Sequence, residues 1–279
     1  MTTNRQVERK LTAFLGGPDR PDIRNKIHST EGAKEYGYQG ALVGGVAVFG
    51  WATPLIFETL GRGWLDEGWA ELAFRRPTYP GDEITITMEP AEGDTWSLRI
   101  TGSDGHDKVV GDLGVGLAPW LDDVLLKTPF RPAEPPLNDY PRLVPEVAPV
   151  GRQLSPLGFT VTEAEAHEYA RTRQRTDDPL FAGPSPRLHP GWIAGRPPGV
   201  LHHTYNYGPA IHTRSHLQIF APAHAGQNFV TTGTFRESYE RKGHQYGAYD
   251  LTTYSEDGRE LWRQRHTTIY QVAKRGSAE

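Results

Sequence analysis

A short pattern that occurs twice, about half the chain apart, constrains this 279-residue sequence more than any other feature. The first copy runs from Glu71 to Thr87 and the second from Ser215 to Thr231. In each, an apolar/polar alternation reaches a proline (Pro77, Pro222), a glycine follows four residues later (Gly81, Gly226), and a second β-rich run begins. Solenoid repeats have periods of roughly 20 to 50 residues. A period this long instead predicts one small αβ unit duplicated and fused in a single chain.

Composition narrows the class further. A hydrophobic content of 37% supports an ordinary core, and a net charge of −4 with interspersed signs gives no reason to expect a nucleic-acid or membrane-surface partner. The longest apolar stretch, Ala41 to Leu60, is interrupted by Gly44, Gly45, Gly50, Pro54 and Glu58. It therefore reads as a buried helix and not as a membrane span. The first fifteen residues carry Arg5, Glu8, Arg9 and Lys10 without a long apolar core, so no signal peptide is expected, and a cytoplasmic protein fits. The absence of cysteine excludes disulfides, thiolate metal sites and a cysteine nucleophile.

Along the chain, residues 1–15 read as a short amphipathic helix. A capped helix is expected from Ser29 to Tyr36, with Ser29 or Thr30 as the cap, and a helix over 46–60 behind Gly44-Gly45. Strand patterns follow at 69–77, 83–90, 96–102 and 108–117. Residues 119–156 are rich in proline and read as an extended connector between the first unit, 1–118, and the second, 157–279. In the second unit a helix is expected from Thr162, a helical segment near 191–204, and strands near 212–220, 227–240, 244–254 and 258–272.

Several local words resemble the MaoC-like, R-specific enoyl-CoA hydratase/dehydratase family. They are Asn25-Lys26-Ile27-His28-Ser29-Thr30-Glu31, then Ala33, Gly37-Tyr38, Gly44-Gly45, and Arg76-Pro77 with Pro80-Gly81-Asp82. In the second half, His189-Pro190, Ile211-His212, Ser215, Glu240 to His244 and Arg265-His266 resemble the C-terminal copy of fused relatives. The resemblance implies an α+β tandem (double) hot-dog fold, each copy a central helix wrapped by an antiparallel sheet. It also implies sheets paired back to back and a further homodimer. The sequence departs from the family's motif where its catalytic Asp falls on Ile23 and its Pro on Lys26. In the second copy Phe181 takes the position of the motif's His and Thr176 that of its Asp, so that copy reads as inactive.

The chemistry this implies is cofactor-free, metal-free hydration or dehydration of an acyl thioester, carried by CoA or a carrier protein. Such a reaction needs a base for water, a proton for the α-carbon, and donors for the developing enolate oxygen. His28 would be the base or water positioner, with Asp22 or Glu31 supplying the missing carboxylate. Asn25 would orient water or the imidazole. Gly44 and Gly45 would let the thioester reach backbone N–H groups. Tyr38, Tyr205, Tyr207, His212 and Ser215 would line the acyl pocket. Ordinary structural roles fit the same residues: a loop histidine, close helix–sheet packing, solvated surface acids, and groups that satisfy the seam between copies. The remaining histidines lack the helical spacing of a metal site. Two further readings stay open. One is a repurposed hot-dog enzyme performing a conjugate-addition cyclisation or isomerisation. The other is a non-catalytic acyl-thioester-binding or scaffolding subunit.

Overall fold

The computed structural model describes residues 5–273. Its first half carries β1 (Val7–Thr12), β2 (Gly68–Phe74), β3 (Glu83–Pro90), β4 (Trp96–Gly102) and β5 (Asp107–Val115). The second half carries β6 (Gln153–Thr160), β7 (Ile211–Ile219), β8 (Asn228–Arg241), β9 (His244–Ser255) and β10 (Glu260–Gln271). The described residues form one ten-stranded sheet in the order β1-β3-β4-β5-β2-β7-β10-β9-β8-β6. Outward from the β2–β7 seam the order is the same in both directions: second, fifth, fourth, third, first strand of each half. That palindrome is the duplication expected from the repeated pattern, and each half is a hot-dog unit.

The halves are not stacked back to back, as expected from the resemblance; they are joined edge to edge. β2 and β7 pair antiparallel from Trp69↔Gln218 to Ala73↔Arg214. Each is an otherwise unpaired rim strand of its own half, and main-chain pairing satisfies both rows of N–H and C=O groups. The repeated proline–glycine word is the β2–β3 and β7–β8 connection. Gly81 (φ +94°) and Gly226 (φ +82°) both turn the chain in the left-handed region just before the next strand.

All but one of the helices lie on one face of this sheet; the short helix between the halves packs on Trp69 of the other face. α1 (Thr30–Glu35), α2 (Gly45–Gly50), α3 (Thr53–Leu60) and α4 (Trp64–Glu67) precede β2. α5 (Leu121–Val124) lies between the halves, and α6 (Glu163–Tyr169), α7 (Pro179–Ala182), α8 (Pro190–Ala194) and α9 (Pro197–His202) precede β7. Ser29 caps α1 by accepting from Gly32 N–H, and Thr162 with Glu165 forms a capping box on α6. The helix expected over 46–60 breaks at Trp51-Ala52, where Pro54 in the first turn of α3 has no N–H to continue the ladder. Phe49, Ala52 and Ile56 on these helices are fully buried against Leu72, Ile86 and Ile100 of the sheet. Each such large apolar side chain contributes about 1.5–3 kcal/mol by leaving water.

Two segments differ from the sequence reading. The expected N-terminal helix is replaced over Val7–Thr12 by strand β1, which pairs with β3 from Val7↔Met88 to Thr12↔Glu83. Residues 1–4 of that expectation lie outside the described residues. Val7, Leu11 and Ala13 turn inward at a period of two, and main-chain pairing with a strand some seventy residues away outweighs local helix propensity. The second difference is β6, an edge strand that begins inside the proline-rich stretch. It tolerates Pro156 beside a bulge between Leu154 and Leu157. The rest of that stretch first straps the opposite sheet face and then rounds the β6 edge, where Glu134 N–H donates to Pro156 O (3.0 Å). Ala118 N–H donates to Gln218 Oε1 (2.8 Å), Thr128 N–H to Thr252 Oγ1 (2.9 Å), and Leu143 N–H to Asn206 O (2.9 Å). Among the described residues no helix is long and apolar enough to cross a membrane.

Candidate active site

His28 ends a single 3-10 turn, Lys26–His28, whose Ile27 is buried and whose Ile27 carbonyl accepts from Leu42 N–H at 2.9 Å. The imidazole returns the link by donating from Nδ1 to Leu42 O at 2.8 Å. A carbonyl can only accept, so this bond puts the proton on Nδ1 and leaves Nε2 as a lone-pair nitrogen. Burial lowers the His28 pKa below its ordinary 6.5, in part offset by the Leu42 bond, so the ring is neutral at neutral pH.

That ring opens onto a cleft of about 1280 Å³ that runs along the seam. The volume exceeds the ~300–1,000 Å³ of most small-molecule pockets. Asn25, Tyr38, Gly44, Gly45 and His212 line it too. Gly44 caps α2, and a side chain built on it would begin 3.9 Å from His28 Cε1. Gly45 opens α2 against the Phe74 ring, where a Cβ would stand only 2.5 Å from Cδ1. Phe74 in turn leans on His212, with ring centroids 4.3 Å apart. Gly45→Ala therefore pushes the aromatic wall toward His212. Thermal melts are expected to show a loss of about 1–3 kcal/mol, as overpacking does, with ligand binding weakened in the same variant.

Asn25 spans the halves. Its Nδ2 donates to Ala210 O (2.8 Å) and its Oδ1 accepts from Ala210 N–H (3.3 Å). This clamp holds the start of β7, and with it His212, beside the His28 turn. His212 Nε2 lies 3.2 Å from Arg214 O and 2.7 Å from Ser215 Oγ. Ser215 itself is fully buried and does not line the cleft; it fixes His212. Burial holds His212 at a pKa of about 3. Tyr205 packs outside the cleft against the second-half core, whereas Tyr207 lines it. The sequence reading gave no pocket role to several lining residues, among them His202, stacked on Tyr207 at 4.1 Å, His266, 3.9 Å from His212, and Phe74. Only the β2–β7 and β7–β10 registers bring Phe74 and His266 to His212, and no local spacing encodes those registers.

The two carboxylates expected beside His28 are elsewhere. Asp22 is exposed and bonded to Arg20 (Nε to Oδ1, 2.9 Å), which holds its carboxyl below the usual range. Glu31 projects from the exposed face of α1, opposite buried Gly32 and Ala33, into a shallow surface depression with Asp19 and Lys34. The carboxylate nearest a cleft histidine is Glu71, on the opposite sheet face beneath the strap. Its Oε1 stands 3.4 Å from His216 Nε2 across the seam, with Trp120 edge-on to the imidazole. Cations surround the mouth. Arg24, Arg75, Arg76, Arg214, Arg241 and Lys242 are exposed lining residues. None of them has an ion pair among the described residues.

The corresponding region of the second half lacks this chemistry. Thr176 and Phe181 line a smaller cleft of about 530 Å³, with Phe181 buried against His189 at 4.5 Å. His189 spends Nδ1 on Gly191 N–H, capping α8.

No family model matches this chain. No curated protein matches it either. Solved structures do share its fold. A MaoC-like dehydratase superposes with a TM-score of 0.61 at 14% identity, covering 96% of this chain and 98% of its own. A MaoC domain protein from Chloroflexus aurantiacus gives 0.65 at 13% identity, over 98% and 97%. A Mycobacterium tuberculosis protein described as having a double hotdog fold gives 0.63 at 14% identity, over 96% of each chain. The double hot-dog architecture thus extends over nearly the whole chain.

Proposed function

We propose that the seam cleft hydrates 2-enoyl thioesters, or dehydrates the corresponding 3-hydroxyacyl thioesters, without a cofactor. The observation that carries this reading is the His28 imidazole. Its Nδ1–H is committed to Leu42 O, its Nε2 is left basic, and it stands beside the glycine pair that opens α2. Nε2 takes a proton from water as the oxygen bonds to C3. The π electrons of the C2–C3 bond move onto C2 and the thioester oxygen, toward the Gly45 N–H. The imidazolium then returns its proton to C2, so the ring ends neutral. Solved structures that share the fold are described as MaoC-like dehydratases, which supports a hydration or dehydration reading.

The unpaired cations at the mouth suit the phosphates of CoA or of a carrier-protein arm. Reversing Arg75 and Arg76 to glutamate is expected to weaken butyryl-CoA binding by roughly tenfold or more in calorimetry. Added salt should weaken the wild type in the same direction. Unchanged affinity in the double variant would remove the rim from the substrate path.

Because Asp22 and Glu31 lie outside the cleft, a second reading uses the same His28 with a nucleophile carried by the substrate itself. That is an intramolecular conjugate addition, recognised by a product of unchanged mass.

A further inference from the structure

We propose that His212, contributed by the second half, is the second anchor of the reacting water, holding through Nδ1 the hydrogen that His28 does not take. This rests on the hydration reading of the same cleft. A water poised to attack must present a lone pair to C3 and keep both hydrogens occupied, which calls for two acceptors. His28 Nε2 supplies one, and neither carboxylate of its neighbourhood enters the cleft.

His212 supplies the other by the same device. Its Nε2 lies 3.2 Å from the Arg214 carbonyl, an acceptor only, and 2.7 Å from Ser215 Oγ, which can accept as well, so a proton on Nε2 serves both contacts and leaves the lone pair on Nδ1. Among the described residues no group bonds to Nδ1, and the residue lines the cleft. The ring is located by Ser215 Oγ at Nε2, by Phe74 and by His266, so its orientation is set on several sides. The Asn25–Ala210 clamp ties the two histidine segments together across the halves. Two backbone carbonyls, Leu42 O and Arg214 O, thus fix two tautomers in one cleft.

The proton balance closes without charging His212. One water hydrogen passes to His28 Nε2 and on to C2. The other stays on oxygen as the product hydroxyl, released from Nδ1 when product leaves. His212 is an acceptor throughout, which fits a ring that burial keeps neutral far below neutral pH.

The test combines kinetics on crotonyl-CoA with nitrogen-15 spectra of the histidine-labelled full chain. His212→Ala is expected to lower kcat by about 10- to 100-fold, the usual cost of a misplaced reactant, with KM near the wild type and the pH profile unmoved. His212→Gln, which keeps an acceptor, should recover part of that loss. A kcat equal to wild type in His212→Ala overturns the inference while leaving the His28 reading intact. Inactivity of the wild type on every enoyl thioester counts instead against the hydration reading. The spectra need no turnover. His212 should show an unprotonated Nδ1 at neutral pH that shifts together with His28 on addition of butyryl-CoA. A proton on Nδ1, or a ring that butyryl-CoA leaves unmoved, overturns the proposal.

Discussion

Replacing His28 by alanine is expected to lower kcat/KM for a 2-enoyl thioester roughly 100- to 10,000-fold, the range for losing a positioned proton-transfer group. The side chain does two things, so the variant must be read on two scales. It removes the Nε2 base, and it removes the Nδ1–H partner of Leu42 O. An unpaired, partly buried carbonyl costs about 1–3 kcal/mol, so a modest fall in Tm should accompany the loss of activity. His28→Asn can keep a donor toward Leu42 while lacking the ring nitrogen at Nε2. It should therefore regain stability without regaining turnover. The pH profile follows from the lowered His28 pKa. The base form is neutral, so kcat/KM stays flat above about 6.5 and falls only as pH drops through the lowered value. Wild-type turnover retained in His28→Ala would remove the base from the mechanism.

Acid should unfold this protein unusually early for its composition. His189 and His212 are held at about 3, His202 and His216 at about 4, and His266 well below its ordinary 6.5, in every case by burial first. Above 6.5 these rings are neutral whether the chain is folded or not, and the full stability is present. Below 6.5 the unfolded chain binds protons that the folded chain refuses, so stability falls as pH falls toward the folded values. Each ring contributes about 1.4 kcal/mol per pH unit. His189, His212 and His266, the rings lowered furthest, would together remove about 4 kcal/mol per unit. Near pH 5 that approaches the roughly 5–15 kcal/mol that holds a typical domain together. Circular-dichroism melts should show Tm falling steadily from about pH 6.5 downward, and activity should be compared only where the protein remains folded. His266→Phe should flatten the slope, since its Nδ1 is buried without a partner and phenylalanine has no proton to gain. A Tm that holds constant down to about pH 5 would contradict buried neutral rings.

Much of the fold was legible because strands announce themselves locally. Ile84, Ile86 and Met88 alternate inward on β3 as the sequence pattern predicts, and the repeated proline–glycine word fell on equivalent turns. The N-terminal strand was not legible. Val7 and Leu11 also stand at helical spacing, and only pairing with β3 decides between the two periods. Strand β6 was hidden by Pro156, which an edge position tolerates and an interior one would not. The site divides along the same line. Asn25, His28, Gly44 and Gly45 belong to one continuous segment, so a local word could find them, and they do meet in the cleft. Asp22 and Glu31 were drawn in by proximity in sequence, yet Asp22 is exposed and bonded to Arg20 and Glu31 sits on the exposed face of α1. His266 entered through strand register, which depends on the whole sheet.

The most direct measurement is turnover of short, branched and aromatic 2-enoyl-CoAs by the intact protein, followed by loss of the conjugated absorbance and by product mass. A product heavier than substrate by one water, formed by the wild type and lost in His28→Ala, is the expected result. Butyryl-CoA binding without any turnover, a product of unchanged mass, or release of free CoA thiol would contradict hydration at this site.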